Sequence, residues 1–400
     1  MARAFLVVLD SVGCGGAPDA ADFGDDGANT LGHVIAACAQ GQAQDGRSGP
    51  LQVPALDALG LGAAVRLASG VATPGLAAAP DGLWGAATQT SRGKDTPSGH
   101  WELAGVPVPW AWTYFPRQVP AFPADLVARI CALAGTDGIL GNCHAAGIPI
   151  VQDLGAQHLR TGWPICYTSA DSVLQIAAHE DAFGLDRLHR LCADLAPVVH
   201  AMRVGRVIAR PFSGTEDTGF RRTGNRRDFA MAPPAPTLCD WVQGAGGQVH
   251  AVGKIKDIFS GHGITQHHKG QGDVALFDHF LQLLRDAGEG SLTFCNFVEF
   301  DTLYGHTRDV SGYARALERF DKVAAQALAR LRQGDMLVIT ADHGNDPTAP
   351  GTDHTRERVP VLVAGYGVGQ IGHCAFADVA ASIAAHLGVP AQGPGRSFLP

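Results

Sequence analysis

Residues 336–340, Met-Leu-Val-Ile-Thr, form an unbroken apolar run that stops at Ala341-Asp342-His343-Gly344-Asn345-Asp346, with Asp353-His354 shortly behind. A short apolar run bounded this way reads as a buried parallel strand. In open α/β sheets, ligand groups gather at the carboxyl ends of the strands. A carboxylate and an imidazole at such an end, with another imidazole on the next Gly/Pro-rich loop, read as part of a metal site.

The rest of the chain repeats the pattern. Residues 4–9 form a buried strand ending at Asp10, residues 83–89 a second, and residues 249–255 a third carrying Lys254 at its end. Residues 291–300 form a strand ending at Asp301, with His306 five residues on, and residues 359–364 another. Helical periodicity marks residues 237–244, 273–287, 310–332 and 375–387. From Trp110 to the prolines 233, 234 and 236 the texture changes. That stretch holds a helix at 123–134, a strand at 163–168, helices at 172–180 and 184–202 and a strand at 204–212. The expected architecture is therefore α/β: a mostly parallel sheet flanked by helices, in two sequence segments (1–108 and 231–400), with an inserted α/β cap at 109–230.

Composition narrows the function. At 400 residues the chain is too long for one ordinary core. A formal net charge of −8 gives no electrostatic case for nucleic acid. The apolar run at residues 4–9 is too short for a signal peptide or a membrane span. Nine cysteines without a CxxC pair suit free thiols in a reducing cytoplasm. Gly13-Cys14-Gly15-Gly16 is no dinucleotide fingerprint, because Pro18 stands where its helix should begin.

Asp10, Asp301 and Asp342 thus end strands, and His306, His343 and His354 follow such ends. Singly, an acid at a strand end is a cap and a loop histidine is solvated, as His250, His267 and His268 are read. Together they supply three carboxylates and three imidazoles, enough for two divalent ions, with mixed donors suited to Mn²⁺ or Zn²⁺. Two such ions stabilise both attacking and leaving oxygens in displacement at phosphorus. The cluster Lys94-Asp95-Thr96-Pro97-Ser98-Gly99-His100 reads equally as a capped turn or as a nucleophilic hydroxyl at a helix N-terminus, where N–H groups favour a phosphorylated Thr96. The basic run 221–227 reads as a solvated face or as a phosphate grip.

These segments resemble bacterial phosphopentomutases of the alkaline phosphatase superfamily. The residues concerned are 8–13, Gly93-Lys94-Asp95-Thr96 with Gly99-His100-Trp101-Glu102, 167–173, Phe300-Asp301 with Gly305-His306, 341–347 and 351–357. The resemblance implies an alkaline phosphatase-like core with a cap, and two Mn²⁺ ions. One would be held by Asp10, Asp342 and His343, the other by Asp301, His306 and His354. It implies that Thr96 is phosphorylated, and that Ser169, Asp171, Arg206 or Arg210, Arg222 and Lys254 meet the sugar phosphate. It implies interconversion of ribose 1-phosphate and ribose 5-phosphate, and of the 2-deoxyribose pair, through a 1,5-bisphosphate. Ribose 1,5-bisphosphate or glucose 1,6-bisphosphate would serve as primer. The partners expected are pentose phosphates, without nucleic acid or membrane, and a monomer is favoured. Thr307 and the stretch Ala145-Ala146-Gly147-Ile148-Pro149 depart from the family pattern. A cofactor-independent phosphoglycerate mutase, a hydrolase on the same core and a non-enzymatic binding module are the alternatives.

Overall fold

The computed structural model describes residues 2–169 and 172–400. Asp171, expected at the substrate, lies outside the described residues. The chain divides into two compact units: residues up to Pro109 together with Ala232–Pro400, and Trp110–Met231.

The larger unit is built on an eight-stranded sheet. Its order is Gln266–His268, Val249–Val252, Leu292–Phe297, Arg3–Leu9, Asp335–Thr340, Val359–Ala364, Leu83–Thr88, Gly369–Ala375. The first five run parallel; Val359–Ala364 is antiparallel to both its neighbours. Phe5, Leu6, Val7 and Val8 are wholly buried, as are Met336, Leu337 and Val338. A strand covered on both faces needs such an unbroken apolar run. Helices Thr30–Ala39, Leu61–Ser69, Gly272–Asp286, Val310–Leu328 and Phe376–Leu387 belong to this unit. Arg3–Leu9 and Asp335–Thr340 lie side by side in register, so Asp10 and Asp342 emerge at the same sheet edge.

The smaller unit carries a second sheet in the order Leu140–His144, Ile165–Thr168, Val173–His179, Arg206–Thr215, Gly219–Arg222, with Arg227–Ala230 also on Arg206–Thr215. Leu174, Ile176 and Ala178 pack with Leu188, Leu191 and Leu195, while Ala177 and Phe212 pack with Ile150 and Val151. Both faces of the strand Val173–His179 are thereby covered.

That strand corrects the helix expected at 172–180. Every residue from Val173 to His179 is buried. A strand buried on both faces shows no alternation, so periodicity could not separate it from a helix. The helix Gly147–Thr161 escaped the sequence reading. Strands Gly219–Arg222 and Arg227–Ala230 take up the ends of the basic run, in which Arg221, Arg226 and Arg227 are exposed and Arg222 is half-buried. The strand before Asp301 stops at Phe297, and Asp301 sits in a wide π-helical turn, Phe300–Gly305. Lys254 precedes the short helix Ile255–Ile258 rather than ending a strand, since the strand stops at Val252. Among the described residues no helix is long and apolar enough to cross a membrane.

Candidate active site and metal centres

Six of the expected ligands form two groups in the larger unit: Asp10, Asp342 and His343, and Asp301, His306 and His354. In each group, one donor atom per residue lies within 4.8 Å of the others. His343 Nε2 is 3.5 Å from Asp10 Oδ1 and 3.1 Å from Asp342 Oδ2. His306 Nε2 is 3.1 Å from Asp301 Oδ2, and His354 Nε2 is 3.3 Å from Asp301 Oδ1. The His343 and His354 rings stack at 3.9 Å, which sets the groups side by side.

The donors fit metal ions. Nδ1 of His343 faces Gly344 O at 3.0 Å, that of His354 faces Lys94 O at 2.8 Å, and that of His306 faces Thr352 O at 2.5 Å. A carbonyl only accepts, so the proton sits on Nδ1 and the Nε2 lone pair faces the site. Metal-ligating histidines are oriented in this way. Asp10 Oδ1 and Asp342 Oδ2 are buried and find no hydrogen-bond partner among the described residues. Their other oxygens are held by Asn296 Nδ2 (2.9 Å) and Ser11 N (3.0 Å). Ser11 adopts φ +70° to aim that N–H, backbone strain of the kind found at working sites. The electrostatics demand positive charge. Burial, then Asp342 and Asp301, push Asp10 up to about 6. His343 is drawn up to about 10, because the Asp342 and Asp10 carboxylates outweigh the opposing effect of burial. Burial works against the charge on Asp301 too, yet His306 and His354 hold its carboxyl well below the usual range.

Thr96 opens the helix Thr96–Leu103, with Asp95 as N-cap accepting from Ser98 N at 3.0 Å. Its Oγ1 lies 3.3 Å from His343 Nε2. Gly99 permits the approach: a Cβ there would run into the Asp342 carbonyl.

Further residues hold this geometry. Asn345 donates to Asp301 Oδ1 at 2.7 Å and accepts from Arg308 Nη1 at 2.5 Å. Glu357, 1% exposed, accepts from Gly15 N, Thr30 N, Thr30 Oγ1 and Thr355 Oγ1, and burial pushes it up to about 7. Asn296 had a signal in the sequence, as a buried amide within the apolar strand Leu292–Phe297. For the other residues the sequence gives the type but not the partner.

The expected substrate residues divide between the two units. Lys254 is exposed in the larger unit. Ser169, Arg206, Arg210 and Arg222 belong to the smaller one. There Arg210 Nε donates to Gln175 Oε1 at 3.1 Å, and Gln175 Nε2 to Ser169 Oγ at 3.4 Å. Arg222 Nη2 donates to Tyr167 Oη at 3.2 Å, while its Nε is buried without a partner among the described residues. Arg206 lies 4.0 Å from Asp228, which Arg226 holds with two bonds of 2.6 Å. Burial, then Arg226, lowers the Arg210 pKa; Arg222 adds to this. A concentration of guanidinium groups of this kind favours an anion.

The metalloenzyme superfamily matches residues 2–391. Phosphopentomutase from Chelativorans sp. is 56% identical over 404 residues, covering 100% of this chain and 98% of its own. That from Allorhizobium ampelinum is 56% identical over 407 residues, covering 100% of both. A solved Leishmania mexicana phosphoglycerate mutase is 13% identical, with a TM-score of 0.47 over 99% of this chain and 97% of its own. By these full-length matches the chain belongs to the metalloenzyme superfamily and, within it, to the phosphopentomutases.

Proposed function

We propose that this enzyme interconverts ribose 1-phosphate and ribose 5-phosphate, and the 2-deoxyribose pair, by way of phospho-Thr96 and a 1,5-bisphosphate. The observation that carries this reading is the Thr96 hydroxyl, set at a helix N-terminus and 3.3 Å from His343 in one of two adjoining ligand groups. Asp10, Asp342 and His343 would hold one Mn²⁺, and Asp301, His306 and His354 the other. When bound, the ions would neutralise phosphoryl oxygens and favour the ionised Thr96 hydroxyl.

Phospho-Thr96 gives its phosphoryl group to the free hydroxyl of the pentose monophosphate. The P–O bond to Thr96 breaks as the bond to the sugar forms. The other phosphate of the bisphosphate then passes to Thr96, which leaves the isomer and restores the enzyme. A trace of sugar bisphosphate would phosphorylate resting Thr96. Backbone N–H groups at the start of Thr96–Leu103 favour the phosphate charge. Arg210 and Arg222, with Arg206 on the same strand as Arg210, would offer planar donors suited to the phosphate that is not reacting, and Ser169 and Asp171 would meet the sugar.

The test is turnover of ribose 1-phosphate with Mn²⁺ and a trace of bisphosphate, following ribose 5-phosphate and free phosphate together. Isomer without free phosphate is the expected result. Free phosphate without isomer would make the protein a hydrolase.

A further inference from the structure

Two buried polar groups of the larger unit lie beside the nucleophile without being ligands themselves. His100 and Asn296 are both 0% exposed. Asn296 lies on the strand Leu292–Phe297, opposite Val8. His100 lies one helical turn beyond Thr96, its ring stacked on Phe294 at 6.1 Å. Asn296 Nδ2 is 2.9 Å from Asp10 Oδ2 and 3.2 Å from His100 Nε2. His100 Nδ1 is 2.9 Å from Thr96 O and 3.1 Å from Asp342 Oδ2.

The donor count fixes the direction of this chain. An amide nitrogen can only donate, so its two protons go to Asp10 Oδ2 and to His100 Nε2. His100 therefore accepts at Nε2 and carries its proton on Nδ1. That proton is donated to Thr96 O, with Asp342 Oδ2 within reach.

We propose that Asn296 and His100 are positioning residues. They form a bridge tying the Thr96 helix to the Asp10 carboxylate of the Asp10–Asp342–His343 group, and they tune that group alone. The proposal rests on reading this group as a metal site. The bridge explains how Asp10, held at Oδ2 by Asn296, keeps Oδ1 unpaired on the side of His343 Nε2, while Ser11 N holds Asp342 Oδ1 independently of it. It also couples the Thr96 backbone to that ligand. The second group has its own support, in which Arg308 holds Asn345 and Asn345 holds Asp301. The two groups are thus separately braced, and loss of the bridge should be felt at one ion only.

The experiment is a titration of metal-stripped protein with Mn²⁺, reading free Mn²⁺ by electron paramagnetic resonance, so that turnover is not needed. Wild type should take two equivalents. Asn296→Leu and His100→Gln should keep one at wild-type affinity and bind the other about 10–100-fold more weakly, the usual cost of removing a ligand's hydrogen-bond partner. His100→Asn, whose amide can replace the Nδ1–H bond to Thr96 O, should lose less than His100→Gln. Two full-affinity equivalents in Asn296→Leu would overturn the proposal. So would equal weakening of both ions with a lower melting temperature of the metal-free protein, the mark of a merely structural role. If Asn296→Leu does not fold, the two His100 variants decide, and equal affinities refute the bridge. Should wild type itself not bind two ions, the ligand assignment fails, and the proposal with it.

Discussion

Arg356→Lys keeps the charge and most of the volume, yet it should be among the most damaging conservative changes in the larger unit. The Arg356 side chain is 2% exposed. It donates to both Asp19 carboxylate oxygens, to Gln89 Oε1 and to the carbonyls of Gln89, Ser91 and Gly93, at 2.6 to 3.0 Å. It also lies over the Phe23 ring at 4.8 Å. A guanidinium has five N–H protons and an ammonium three, so at least two donors are lost from this cluster of six acceptors. Asp19 is 35% exposed and can turn to water, whereas the loop carbonyls cannot. Hydrogen bonds from a charged group contribute roughly 1.5–3 kcal/mol each. Allowing for relaxation, the loss is about 3–5 kcal/mol, read by urea unfolding followed by circular dichroism. The loop that Arg356 holds leads directly to Lys94, whose carbonyl orients His354, and to Thr96. Turnover should therefore fall with stability. A change in unfolding free energy below about 1 kcal/mol would show that the loop keeps its shape without the fork.

Thr96→Ala should lower isomer formation by about 10⁴-fold or more while leaving the Mn²⁺ titration unchanged; near-normal turnover would remove Thr96 as nucleophile. Chelation by EDTA should lower the melting temperature, since an ion present at 100 times its dissociation constant adds about 2.7 kcal/mol per site; an unchanged melting curve would count against both ligand groups. Gly99→Ala should destabilise the fold and cut turnover together, because its Cβ would meet the Asp342 carbonyl; a fully active, equally stable variant would refute that close packing. His33 Nδ1 sits 2.6 Å from Asp346 Oδ2, and this hydrogen bond raises the His33 pKa. The pair's stabilisation is therefore fully present below the unfolded pKa of about 6.5 and is lost as pH rises through the folded value. The stability gap between wild type and His33→Ala should shrink from acid to alkaline pH, and a gap that widens would reverse the assignment.

What the sequence made legible was whatever is written within a few residues. An apolar run followed by an acid marks a strand and its end, so Asp10 and Asp342 could be placed before any contact was known. Asp95 before Thr96-Pro97 marks a helix start, and the structure has one there. The failures have two physical sources. The strand Val173–His179 is buried on both faces, and burial erases the alternation that separates strand from helix. Asp301 reaches its histidines from a π-helical turn, a geometry with no local signature. The support of the site lay further out of reach, because its meaning is a pairing across the chain. His100 could be quoted as a residue of a motif, but its partner Asn296 is 196 positions away. Glu357 joins Thr30 across 327 residues. Ligand types follow from the chemistry a metal requires and recur as patterns. The groups that hold the ligands need only donate or accept at the right place, and many residue types and sequence positions can do so. Local pattern therefore locates the candidate ligands and the candidate nucleophile, while their orientation is fixed by long-range hydrogen bonds. Substitutions at Arg356, Asn296 and His100 accordingly test the fold and the chemistry at once.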